Sequence, residues 1–201
     1  MPLLQTLAPR ISYSFDLWTR ADLDPDRPGS LFAKARRTTA ALTAAGVRVT
    51  SNTVLSGNLI DLMPTSGEAL ASLPVSHSTI TFPFPRGGIL EGPREAVPSL
   101  EVARQALSIL AVQLNAAGRP YTFKGLPICY IPEHAAHVSA TKNRRWVSAN
   151  NQMTEAIWFV PGRLQFSKKP SCLTCREFGR CDGFWESYLN TGKFPPMLPL
   201  T

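Results

Sequence analysis

The sequence predicts an α/β fold with parallel strands, followed by an irregular, cysteine-rich C-terminal extension. Three observations predict it. Residues 11–18 alternate apolar and polar as a strand does. A run of helix formers closed by Gly46 follows, and residues 47–55 are at once a β-branched strand. Strand, helix, glycine, strand is the order of a βαβ unit, whose strands lie parallel. Finally, Cys172, Cys175 and Cys181 stand in C-x2-C-x5-C spacing, beyond the point where the rhythm of regular elements stops.

The composition fits a globular chain. Of the 201 residues, 44% are hydrophobic and 17% charged, enough apolar material for one core or one core with an appendage. A net charge of +7 suits an anionic partner. The basic residues are nevertheless spread as Arg36-Arg37, Arg144-Arg145 and Lys168-Lys169, with no long run, which argues against nucleic acid. The first ten residues lack the basic start and the apolar run of a signal peptide. No stretch approaches the ~20 apolar residues that span a bilayer, so no membrane partner is expected. These features predict a cytoplasmic chain, where disulfides are rare.

In the first strand Ile11, Tyr13 and Phe15 share one face and Ser12, Ser14 and Asp16 the other, a polar face suited to a ligand or to solvent. Residues 19–29, with three aspartates and two prolines, read as a loop. Ser30 is placed to cap a helix over 31–45, and Gly46 to end it. Pro64 and Gly67 predict a short or broken helix within 59–73. Residues 79–84 form the third strand, ended by Pro83 and Pro85, and a loop follows through Gly92, Pro93 and Pro98. Ser99 then caps the clearest helix, on which Leu100, Ala103, Leu107, Leu110 and Leu114 recur at helical steps until Gly118. Residues 121–124 are a candidate for a short fourth strand leading to Cys129. Residues 132–170 read as irregular structure around a metal site, 183–192 as a short helix, and the proline-rich tail as extended.

Four cysteines are the number that a tetrahedral zinc site or a [4Fe–4S] cluster requires. A C-x2-C pair puts two thiolates on one turn; Cys181 follows five residues on, and Cys129 stands alone upstream. This three-plus-one pattern suits a cluster better than zinc, whose structural sites usually show two close pairs. Phe178, Phe184 and Trp185 are candidates for an apolar shield, and Lys168, Lys169, Arg176 and Arg180 for charges that offset the thiolates. Two disulfides, four unrelated thiols, and a mixed site using His134 or His137 are the alternatives.

The run Ile11-Ser-Tyr-Ser-Phe-Asp16, then Pro28-Gly-Ser-Leu-Phe-Ala-Lys-Ala, then Leu42-Thr-Ala-Ala-Gly-Val-Arg-Val-Thr-Ser-Asn-Thr-Val54, resembles the later half of a radical SAM barrel. Thr81-Phe-Pro-Phe-Pro-Arg-Gly-Gly is similar to that family's next strand and loop. Gly125-Leu-Pro-Ile-Cys129, with Lys169-Pro-Ser-Cys172-Leu-Thr-Cys175, Cys181-Asp-Gly and Tyr188 to Gly192, resembles the C-terminal extension of many members, where the cysteines hold an auxiliary iron–sulfur cluster. The resemblance runs from about residue 3 to 196. It implies an incomplete (β/α) partial TIM-type barrel of about three parallel strands over residues 1–125. The cysteine-rich extension would then occupy 126–201, with an auxiliary [4Fe–4S] cluster on Cys129, Cys172, Cys175 and Cys181. It also implies contacts to S-adenosylmethionine from Ser14, Asp16 and Asn52, at the strand ends where barrel sites form.

The family's C-x3-C-x2-C, which binds the catalytic cluster, is absent, and so are the strands that precede Ile11 in other members. The expectation is a truncated or split radical SAM protein, inactive alone, which binds S-adenosylmethionine only when another chain supplies the N-terminal half. The first strand should then be an edge strand. A zinc-stabilised cytosolic binding module without catalysis is the alternative.

Overall fold

The computed structural model describes residues 10–16, 19–24, 26–85, 97–139 and 166–201. In chain order the main elements are β1 (Arg10–Ser14), α1 (Arg20–Leu23), α2 (Leu31–Ala44), β2 (Arg48–Val54), α3 (Gly57–Asp61), α4 (Thr65–Ser72), β3 (His77–Thr81), α5 (Leu100–Ala116) and β4 (Tyr121–Lys124). The strands form one parallel sheet in the order β1-β2-β3-β4, so each strand lies beside the one before it. The fold is therefore α/β, as the sequence predicts. Four strands replace the expected three or so, and the described residues close no barrel. The fourth strand is short but holds because Tyr121 and Phe123 are buried in the core while β4 pairs along β3.

Local chemistry explains most boundaries. Ser99 Oγ accepts from Val102 N at 3.3 Å and starts α5. Ser30 Oγ does more: it accepts from Ala33 N at 3.0 Å and donates to the Asp24 carbonyl at 2.6 Å, while buried. Ser30→Ala should therefore cost about 2 kcal/mol and Ser99→Ala about 1, read from urea midpoints at unchanged m-value. Gly46 and Gly118 take φ of 76° and 62° after their helices. The broken helix of 59–73 is two helices, with the chain turning at Pro64. Residues 19–29 are not all loop, because Thr19 caps the one-turn helix α1. The loop expected over 86–96, and residues 140–165 of the irregular stretch expected over 132–170, lie outside the described residues.

The two faces of the sheet differ in chemistry. One carries Ile11, Tyr13, Val49, Ser51, Thr53, Ser78, Ile80, Tyr121 and Phe123, and its central positions are buried in the core with Leu107, Leu110 and Leu114 of α5. The other carries two cross-strand rows, Ser12-Thr50-His77 and Ser14-Asn52-Thr79-Thr122, a band of hydroxyl, amide and imidazole groups. Among the described residues β1 pairs only with β2, which makes it the expected edge strand.

The extension packs on the C-terminal end of the sheet. Strands β5 (Phe166–Ser167) and β6 (Phe184–Trp185) pair antiparallel, and α6 (Glu186–Leu189) follows. Phe82, just past β3, meets Phe184, Tyr188 and Phe194 at ring distances of 5.8–6.0 Å. Tyr188 donates its hydroxyl proton to the Pro83 carbonyl at 3.0 Å. This aromatic cluster holds the cysteine segment beside the strand ends, where ligands of open α/β sheets bind.

Candidate metal centre

Cys129 is placed by its neighbours. β4 ends at Gly125, whose φ of 83° turns the chain against Phe82. Residues Ile128–Tyr130 form a 3₁₀ turn with Ile128, Tyr130 and Ile131 buried, which leaves Cys129 half-buried between anchored side chains. Cys172 and Cys175 lie on the 3₁₀ turn Pro170–Thr174 and its end, closed by Cys172 N to Lys169 O at 2.9 Å and Cys175 N to Cys172 O at 3.0 Å. The next loop closes on itself through Phe178 N to Cys175 O at 2.9 Å and Cys181 N to Glu177 O at 2.8 Å.

These turns bring all four cysteines to one cavity. About 330 Å³ of space, its mouth included, is lined by Cys129, Cys172, Cys175 and Cys181 together with Ile128 and Met197. Three backbone N–H groups donate to sulfur: Leu198 to Cys129, Leu200 to Cys175 at 3.4 Å, and Gly183 to Cys181 at 3.4 Å. The Cys129 thiol is pushed up to about 11, first by burial and then by the charges of Cys181, Cys172 and Cys175. All four thiols are free, so the alternative of two disulfides is not what the structure holds. Among the described residues there is no group of three or more His, Cys, Asp or Glu side chains that could hold a metal ion as they stand.

The tail was expected to be extended, and it is, but it also straps the centre. Tyr130 donates to the Pro195 carbonyl, Ser171 to that of Met197 at 3.3 Å, and Arg176 N to that of Leu200 at 3.0 Å. Two of the three N–H···S donors come from this strap. The apolar Met197 in a proline-rich run, 2% exposed, is the one local signal that the tail docks.

The expected accessory residues divide. Phe178 and Lys168 line the cavity, and Lys168 Nζ sits 3.8 Å over the Phe178 ring. Phe184 and Trp185 lie in the core instead, with Phe184 reaching the centre only through Tyr130, 5.3 Å away. Arg176 and Arg180 pair with Glu177, and Arg180 also holds the Ala135 carbonyl at 2.8 Å. His134 bonds Ser108 Oγ at 3.2 Å and His137 stacks on Tyr121 at 4.1 Å, so neither joins the cysteines.

Ser14, Asp16 and Asn52 meet at the ends of β1 and β2. Ser14 and Asn52 are register partners, and Ser14 Oγ donates to Asp16 Oδ2 at 3.0 Å. Asp16 Oδ1 accepts from Val54 N at 3.2 Å, and Asn52 Oδ1 from Thr81 Oγ1 at 2.9 Å. These bonds lock the strand ends and leave the Asn52 amide N–H groups as donors on the polar face.

Compared with protein-family models, with curated proteins and with solved structures, the chain matches none. No helix of the described residues is long and apolar enough to cross a membrane.

Proposed function

We propose that this chain holds an iron–sulfur centre on Cys129, Cys172, Cys175 and Cys181 and serves as the auxiliary-cluster part of a radical-SAM-type enzyme. One observation carries the reading: four cysteines from two distant segments line a single cavity, with backbone N–H groups aimed at three of the sulfurs. N–H···S bonds stabilise thiolates that carry metal charge. A single zinc would draw its four sulfurs to ~2.3 Å from one point, whereas a cubane spreads them around a larger space. With all four thiolates ligated, the centre supplies electron transfer or structural support when bound.

The polar sheet face is the proposed S-adenosylmethionine side, with Ser14, Asp16 and Asn52 at its C-terminal rim. The open edge of β1 is where the strands of an N-terminal half would pair. In this arrangement the present chain performs no radical chemistry by itself.

Anaerobic reconstitution with iron and sulfide tests the centre. The expected result is a brown protein with a broad visible charge-transfer absorption and about four iron and four sulfide per chain. A colourless protein holding one tightly bound zinc ends this reading in favour of a zinc-stabilised binding module.

A further inference from the structure

The tail from Phe194 to Leu200 carries a pattern of its own. Pro195, Pro196 and Pro199 favour an extended helix of three residues per turn, which has no internal hydrogen bonds. Every third residue then shares a side. Phe194, Met197 and Leu200 are the ones turned inward, while Pro195, Pro196 and Leu198 are exposed. Phe194 meets the rings of Phe184 and Tyr188 at 4.9 and 5.4 Å. Met197, Leu198 and Pro199 line the cysteine cavity, so the tail is one of its walls. Proline has no N–H, and of the few N–H groups this run keeps, two donate to sulfur. Leu198 N bonds Cys129 on the upstream segment, and Leu200 N bonds Cys175 on the downstream loop at 3.4 Å. The other bonds of the strap run from Tyr130, Ser171 and Arg176 to the carbonyls of Pro195, Met197, Leu200 and Thr201. Those do not sense a metal. The two sulfur bonds do, because a thiol is a weak acceptor and a metal-bound thiolate makes a charge-assisted bond about twice as strong as a neutral one.

We propose that residues 194–201 are a metal-responsive latch, which closes on the loaded centre through the Leu198 and Leu200 N–H groups, loosens when the thiols are empty, and so slows the loss of metal. The inference rests on the iron–sulfur reading of the four cysteines. The coupling is reciprocal: the closure that bound metal adds to the strap returns as metal retention. The latch touches both cysteine segments at once, so opening it frees Cys129 and Cys175 together from their donors and removes a wall of the cavity. The prolines limit the conformational freedom lost each time it closes. A static tail is the competing picture. Held by the buried Met197 and by Phe194 alone, it stays equally closed with and without metal.

The test compares the protein reconstituted with iron and sulfide with its metal-free form. Hydrogen exchange of segment 194–201, read by mass spectrometry, should be about ten-fold slower in the loaded protein, with exchange in α5 unchanged. Leu198→Pro removes one donor to sulfur, suits the extended run, and loses little packing because Leu198 is 70% exposed. Iron release to a chelator should quicken about five-fold in Leu198→Pro and stay within about two-fold of the parent in Leu198→Ala, which keeps the N–H. Met197→Ser loosens the strap from its apolar side and should quicken release in the same sense, so the latch remains testable if Leu198→Pro disturbs the fold in far-ultraviolet circular dichroism. Equal exchange of the segment in the two forms, a change of the same size in α5, or equal release from Leu198→Pro and Leu198→Ala in folded protein overturns the latch and leaves the centre standing. A chain that takes up no iron overturns the iron–sulfur reading and the latch with it.

Discussion

Cys129→Ala should strip the centre as completely as Cys175→Ala, with iron per chain falling at least about ten-fold in both. In sequence the two positions are unequal, one in a tight knuckle and one alone upstream. In the structure they are equal members of one cavity wall, and each accepts a backbone N–H from the same C-terminal strap. The fold should survive the substitution, because the turn is held by the buried Ile128, Tyr130 and Ile131 on either side of Cys129. Far-ultraviolet circular dichroism and iron analysis on the same sample separate the two effects. If Cys129→Ala keeps its full iron while Cys175→Ala loses it, Cys129 is not a ligand and the three-plus-one assignment is wrong.

Gly183→Ala should be among the most damaging single substitutions in the chain, although it adds one methyl group. Gly183 has φ of 87°, where a side chain is strained, and its Cβ would stand 2.2 Å from the Ser167 carbonyl oxygen. That oxygen belongs to the backbone of β5, so relief requires β5 and β6 to part. The left-handed conformation and the clash together should cost roughly 3 kcal/mol or more. Gly183 N is also the donor to Cys181 Sγ, so the displaced backbone should weaken metal retention as well. Gly179 provides the comparison within the same loop. A Cβ there meets nothing within 4 Å, so Gly179→Ala should be close to neutral in both denaturation midpoint and iron content. Equal effects at the two glycines would show that the β5–β6 contact does not position Cys181.

The legibility of the chain follows the range of the forces involved. Ser30 and Ser99 announce their helices because an N-cap bond spans three residues. The α5 stripe is visible because one side of a helix repeats every three to four residues. β4 was only a candidate, since four residues give little periodicity and its pairing partner lies some forty residues upstream on β3. The hairpin of Phe166–Ser167 with Phe184–Trp185 left no local signal, being two residues against two across the cysteine loop. Phe184 and Trp185 are candidates for shielding the cysteines because they are adjacent to them in sequence, yet Phe184 packs on Phe82 at the sheet end and Trp185 on Phe166 and Phe84.

By itself the sequence determined the order of strands and helices, their caps and stops, and four thiols in a pattern that admits one metal centre. These are properties of residue type and short spacing. The tertiary structure decided that Cys129 reaches the C-x2-C-x5-C loop, because the packing of Phe184, Tyr188 and Phe194 on Phe82, with the Tyr188–Pro83 hydrogen bond, carries the extension back to the sheet. It also decided that the tail supplies two of the sulfur hydrogen bonds and that Gly183 must be glycine. Each depends on atoms brought close by a core whose members are distant in the chain, and no local pattern encodes that closeness.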